Sequence, residues 1–238
     1  MRYLGFILFL ICAACATAPT AEFNAYRETF DAANAQTGAL LDVYNDIEKS
    51  LDTTTRDKTT LDPNRAYLFV PSADAPRTRL LREGFQLVAN YNVLLGRYVE
   101  GGSLSAIQPE IDRVKTSAAT IGDSAGAVTG VTGVTAAVSG LVDGAQALAQ
   151  LALFNDDVNR FRESVVANLP AIDGFLAQAR LQAEAMYSEA RTYRRDRILA
   201  GAGAAKTQTE LDAFKVAAAS WILMIDETRR NLAFLTEA

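Results

Sequence analysis

Histidine is absent from this chain of 238 residues, and only two cysteines and one tryptophan occur in it. Without imidazole there are no His-dependent catalytic triads, no zinc sites built on histidine, and no Glu-x-x-His pairs of the kind that hold di-iron centres in helical bundles. Both cysteines, Cys12 and Cys15, lie within the first fifteen residues, so no disulfide staples the remainder. Aromatic residues make up only 8%. Phosphate-binding loops, dinucleotide fingerprints, calcium loops and nucleophile elbows are likewise missing. Acidic residues outnumber basic ones by 28 to 23, a net charge of −5, which argues against non-specific nucleic-acid binding.

The first fifteen residues carry the most specific signal. Arg2 precedes an apolar run from Leu4 to Ile11, which closes on Cys12-Ala13-Ala14-Cys15. A short apolar segment behind a positive start, ending on small residues, is an export signal. It falls well short of the ~20 residues that a membrane-spanning helix needs. Ala13 and Ala14 in front of Cys15 resemble the lipobox of bacterial lipoproteins. That resemblance covers the leader only, and Cys12 stands where such leaders usually carry an aliphatic residue. It implies removal of residues 1–14 and a diacylglyceryl group on the Cys15 thiol. It also implies outer-membrane delivery facing the periplasm, because Ala16 replaces the aspartate that commonly retains such proteins in the inner membrane. A second reading stays open: Ala16-Thr17-Ala18 is an ordinary signal-cleavage pattern, giving a soluble periplasmic or secreted protein. Loss of residues 1–14 removes one charge, Arg2, and leaves a net charge of −6.

Residues 15–19 then form a short tether to one domain, 20–238, which is long enough to bury a sizeable core. Half of the chain is hydrophobic and alanine is over-used, a composition that favours helix. Phe23, Tyr26, Phe30, Ala33, Thr37, Leu40, Tyr44, Ile47 and Leu51 repeat at alternating spacings of three and four, the seam of a helix from about Thr20 to Thr53. Residues 54–75 break the period with Thr53-Thr54-Thr55, Asp62-Pro63 and Val70-Pro71. Ala66-Tyr67-Leu68-Phe69-Val70 inside them is too apolar for a free loop. An extended crossover lying on the bundle is expected, and it is the first place to look for a partner.

Asp74-Ala75-Pro76 starts a second helix with Leu80, Gly84, Leu87, Tyr91, Leu94 and Tyr98 on its seam, ended by Gly101-Gly102. Ser105 to Gln108 reads as a capping box for a third, with Leu104, Ile107, Ile111, Val114, Ala118 and Ile121 inward. Residues 124–154 are rich in Gly, Ala, Val and Thr, with no charge from Ala125 to Val142. Gly126/Gly130 and Gly140/Gly144 are small-residue pairs that allow close helix approach. The readings are a buried helix, a kinked break, or a hairpin that inserts into membranes.

A further helix begins at Asn155-Asp156-Asp157, with Asn168-Leu169-Pro170 kinking or restarting it. Its seam is Ile172, Leu176, Ala179, Ala183, Met186, Ala190 and Tyr193. Arg191, Arg194, Arg195 and Arg197 crowd its end, a place that favours cations and reads as a solvated face. Thr207 to Glu210 reads as a capping box for the last helix, with Leu211, Phe214, Ala218, Trp221, Ile225, Thr228, Leu232 and Leu235 inward. Asp226 and Arg230 are expected to pair on its outer face.

The expected fold is all-α: an elongated antiparallel bundle of about five long helices with heptad-like seams. No residue qualifies as catalytic, cofactor-binding or metal-ligating, and no small-molecule substrate is identified. The expected function is a lipoprotein that binds or scaffolds without catalysis, held to the membrane through a lipid on Cys15 and meeting an envelope protein partner. The alternative is a secreted or surface protein of the pore-forming kind that inserts residues 124–154.

Overall fold

A computed structural model of the chain describes residues 20–54, 62–99, 104–125, 132–154 and 158–237. The leader with Cys15, the Gly101-Gly102 turn, residues 126–131 with the Gly126/Gly130 pair, and Asn155-Asp156-Asp157 lie outside the described residues. Six long helices make up nearly all of the rest: α1 (Thr20–Thr54), α2 (Pro76–Val99), α3 (Leu104–Ala125), α4 (Thr132–Phe154), α5 (Val158–Leu199) and α6 (Ala204–Glu237). The all-α bundle is as expected, but the helix count is six rather than five. The added one, α4, falls inside the glycine-rich 124–154 segment. Its intrinsic propensity is poor, yet Val134, Val138 and Leu141 are buried, and packing supplies what propensity lacks.

The helices stack as two layers of three, α1-α2-α3 on α6-α5-α4. Each helix touches its chain neighbours, α6 closes back onto α1, and the layers meet through α1–α6 and α3–α4 and, more sparsely, through α1 with α5, α2 with α5, and α2 with α4. Hence α2 and α5 are the middle helices and touch the most partners. Paired residues show antiparallel neighbours: Thr37 with Trp221 and Thr29 with Asn231 join α1 to α6. Asp173 with Arg229, Arg180 with Asp226, and Arg197 with Glu210 join α5 to α6.

The core follows the seams. Every described inward residue named for α1 from Phe23 to Ile47 is buried, as are those of α2, α3 and α5 up to Ala190. At the centre, Phe85 of α2 stacks on Phe30 of α1 at 6.2 Å between ring centroids. It meets Phe175 of α5 edge-on at 5.3 Å and Trp221 of α6 at 6.1 Å. Offset and edge-to-face pairs at such separations add ~0.5–1.5 kcal/mol each beyond burial. The Trp221 indole N–H donates to Thr37 Oγ1 at 2.7 Å, and the Tyr26 hydroxyl donates to Asn92 Oδ1 at 2.9 Å. These are two buried polar contacts made inside the seam.

Several local expectations are corrected. The 62–75 part of the crossover is not extended: Pro63–Leu68 forms a 3₁₀ segment. The helix is not restarted at Pro170, because α5 runs unbroken from Val158 to Leu199. Thr207 is no cap; α6 begins at Ala204, and the Thr207 N–H and hydroxyl both donate to the Gly203 carbonyl at 3.1 and 2.9 Å. Asp226 pairs with Arg180 of α5 at 2.7 Å, and Arg230 with Glu227. A partner from the neighbouring helix wins over the one four residues on.

Gly201 does turn the chain as expected. At φ +93° it sits in the left-handed region, and Ala202 N–H reaches the Arg197 carbonyl at 2.9 Å while Gly201 N–H reaches Ile198 at 3.0 Å, a Schellman closure. Gly84 has a different reason. A Cβ there would lie 2.3 Å from the Phe175 ring, and that ring is wedged against Phe85. Gly84→Ala would gain ~1 kcal/mol of helix propensity but overpack the α2–α5 contact at a cost of ~1–3 kcal/mol. The expected outcome is a thermal midpoint lowered by up to roughly 8 °C, whereas Gly174→Ala, with open space around it, raises it or leaves it unchanged.

Candidate functional site

Chemistry concentrates at one end of the bundle, where α1 finishes, α2 starts and α5 turns into α6. The last turns of α1 carry two different faces. One is the seam, with Tyr44 and Ile47 buried. The other is a polar stripe of Asn45, Glu48, Lys49 and Asp52 that grips the crossover. Asp52 accepts from Arg65 Nη1 at 3.0 Å and from the Tyr67 hydroxyl at 2.6 Å. Lys49 Nζ donates to the carbonyls of Val70 and Pro71 at 3.2 and 3.1 Å. Asn45 accepts the Ala75 N–H at 2.7 Å and donates to the Ala73 carbonyl at 3.4 Å.

The stripe also caps α2. Glu48 Oε1 accepts the Arg77 N–H at 2.9 Å, and Oε2 accepts the Thr78 N–H at 3.0 Å and the Thr78 hydroxyl at 2.9 Å. These are donors that a helix start leaves without intrahelical partners, and a carboxylate there also meets the positive end of the helix dipole. Asp74, next to the helix start read from sequence, accepts from Arg82 Nε at 2.8 Å. The tertiary cap was invisible in the chain because a heptad pattern marks only the inward positions. The one available signal was the mixture of Asn, Glu, Lys and Asp at spacings of three and four beside the seam.

Inside this cap Tyr44, Arg77 and Glu189 join α1, α2 and α5. Arg77 Nη1 donates to the Tyr44 oxygen at 2.8 Å and to Glu189 Oε1 at 2.5 Å, and the Tyr44 hydroxyl donates to Glu189 Oε2. Burial pushes the Tyr44 phenol far above its ordinary value, opposed by the Arg77 charge. A phenol held so firmly protonated acts as a donor to Glu189, not as a base.

On the opposite flank of Tyr44 lies a pocket of about 190 Å³ between α1, α5 and α6. Ile47, Leu211 and Phe214 form its apolar walls, and Tyr193, Arg194 and Arg197 line its mouth. Arg197 pairs with Glu210 and lies 5.6 Å from the centre of the Tyr193 ring. Of the arginine cluster, Arg194 and Arg197 line this pocket, while the exposed Arg191 and Arg195 share a second, open one with Arg194. Cys15 lies outside the described residues, so nothing here joins it to this end. Among the described residues no group of three or more His, Cys, Asp or Glu side chains is placed to hold a metal ion. Comparisons with protein families, with curated proteins and with solved structures return no match for the chain.

Burial lifts the Glu48 carboxyl above the ordinary value of 4.5, against the pull of its three hydrogen bonds. The native state therefore takes up this proton before the unfolded chain does. By linkage, Glu48 adds stability as pH falls from neutral through its raised value, and the gain is complete below 4.5. Glu48→Gln replaces one acceptor by a donor facing Thr78 and should cost ~1–2 kcal/mol at neutral pH. In chemical denaturation the deficit of the variant should widen between neutral pH and pH near 5; a deficit that narrows on acidification contradicts the assignment.

Proposed function

We propose that the protein is an outer-membrane lipoprotein that faces the periplasm and acts as a non-catalytic binding or scaffolding module, tethered through an acylated Cys15 after loss of residues 1–14. Support for the tether comes from where the first described helix lies. Helix α1 starts at Thr20, five residues past Cys15, and Phe23 is already buried. Five extended residues reach ~17 Å, so an acyl anchor on Cys15 would hold this end of the bundle against the bilayer. Among the described residues no helix is long and apolar enough to cross a membrane.

Support for the binding role comes from the other end. The 35 residues of α1 span ~52 Å, which sets the crossover far from such a tether. There Phe69 and Val70 are 55% and 45% exposed on a segment whose neighbours on both sides are fastened to α1. That fixed, outward apolar pair is the single observation that carries the reading. An ordered surface loses less conformational entropy when a partner docks than a free loop would.

Metabolic labelling with a fatty acid tests the tether. Wild type should take up label and fractionate with membranes, and Cys15→Ala should lose both properties. An unlabelled wild-type protein whose amino terminus is Pro19 or a close neighbour overturns it. Dye release from liposomes by purified protein would favour the alternative, insertion of residues 124–154. The binding role is tested by a photo-crosslinking residue placed at Phe69, and at Leu223 on the outer side of α6 as a control. Both positions are exposed, so stability should shift by less than ~0.5 kcal/mol. A discrete adduct in intact cells from position 69 but not from 223 is the expected result. Equal or absent adducts from both overturn it.

A further inference from the structure

From the pocket between α1, α5 and α6 we infer a second, unassigned binding site, one that takes a small monoanion with an apolar body about the size of a benzene ring. The inference does not depend on the lipoprotein reading. Three observations define the ligand. The first is volume: about 190 Å³ is slightly more than the ~150 Å³ apolar cavity that suffices to hold benzene. The second is the wall, where Ile47, Leu211 and Phe214 offer only hydrocarbon. Such a surface favours an apolar body.

The third is Arg194. Its Nε is buried and has no hydrogen-bond partner, which is costly for a group that carries charge. Arg197, one turn on, is already engaged by Glu210 and by the Tyr193 ring. Arg194 is thus the cation at this mouth with donor capacity to spare. The terminal Nη pair of a guanidinium matches the two oxygens of a carboxylate in a bidentate fork. Asp46 and Glu210 also line the pocket. Their negative charges favour a singly charged head over a dianionic phosphate. The exposed Arg191 and Arg195 on the same helix end supply a positive approach. Ligand class and residue roles follow together: hydrocarbon inward, carboxylate outward on Arg194.

Benzoate is the probe, with benzyl alcohol (same body, no charge) and inorganic phosphate (charge, no body) beside it. A ligand-observed NMR titration of the purified full chain at neutral pH reads binding directly. Wild type should bind benzoate in the millimolar range and at least tenfold more tightly than either control. Arg194→Gln should weaken benzoate by about tenfold, the worth of one charge-assisted contact, with little effect on benzyl alcohol, and Arg194→Lys should recover part of the loss. Ala190→Leu, which fills the cavity from α5, should abolish binding of both aromatics. If that variant fails to fold, the Arg194 pair still decides. No benzoate binding to wild type, equal binding of benzoate and benzyl alcohol, or unchanged binding in Arg194→Gln each overturns the proposal.

Discussion

The bundle depends on α2 and α5 meeting with only a glycine between the α2 backbone and the Phe175 ring. Two three-helix layers share one core only if their middle helices touch. Packed helices ordinarily lie 8–10 Å apart, and the side chains at the contact set the distance. A side chain at position 84 would hold α2 off Phe175. The ring contacts from Phe85 to Phe30, Phe175 and Trp221 would then open together, because Phe85 follows Gly84 directly and moves with it. Four helices from both layers converge on that ring. Displacing it is therefore felt across the whole cross-section, as expected of a close-packed interior.

Heptad seams of Leu, Ala and aromatic residues fix which face of each helix turns inward but leave its axial position loose, since a slide of seven residues presents much the same face. Individual polar contacts remove that freedom. Sliding α6 along α1 by one heptad would strip the Trp221 N–H of Thr37, and sliding α1 along α2 would strip the Tyr26 hydroxyl of Asn92. A buried donor left without its acceptor costs ~1–3 kcal/mol. The pairs along α5 and α6 act in the same sense from the surface: Asp173–Arg229, Arg180–Asp226 and Arg197–Glu210 match in one antiparallel register. Each partly exposed pair is worth only ~0–1 kcal/mol. Their contribution is to penalise the wrong alignment more than to stabilise the right one.

What was legible in the sequence follows from this division. The seams of α1, α2, α3, α5 and α6 could be read residue by residue, because burial imposes a period on the chain. Contacts between helices impose none. Nothing local marks Glu48 as the cap of a helix beginning 28 residues later, or Asp226 as the partner of Arg180 rather than Arg230. Thr207 misled because a threonine three residues before a glutamate has the same letters whether it caps a helix or lies inside one, bonded back to Gly203. Helix α4 was obscured for the opposite reason. Its glycines lower helix propensity, and which neighbours they admit is not written locally: Gly133 and Gly144 give room to Gln178 and Asn168 of α5. Of the candidate site, the crossover and the arginine cluster could be singled out beforehand. That they lie at one end, on two sides of Tyr44, could not.

The effort invested in that end bears on what the protein does. Four residues separate α2 from α3 and four separate α5 from α6, whereas twenty-one lie between α1 and α2. Joining two antiparallel helices needs no such length. The described part of that connector is not left loose: Asn45, Glu48, Lys49 and Asp52 of α1 fasten both the 62–75 stretch and the start of α2, while Phe69 and Val70 stay outside. Ordering those residues costs ~1–2 kcal/mol of backbone entropy apiece. Much of the return is hydrogen bonding near solvent, a modest gain per bond. A connector under no other demand would be shorter or freer. Residues 62–75, fastened on both sides of an exposed Phe69-Val70 pair, present a surface whose shape is set in advance.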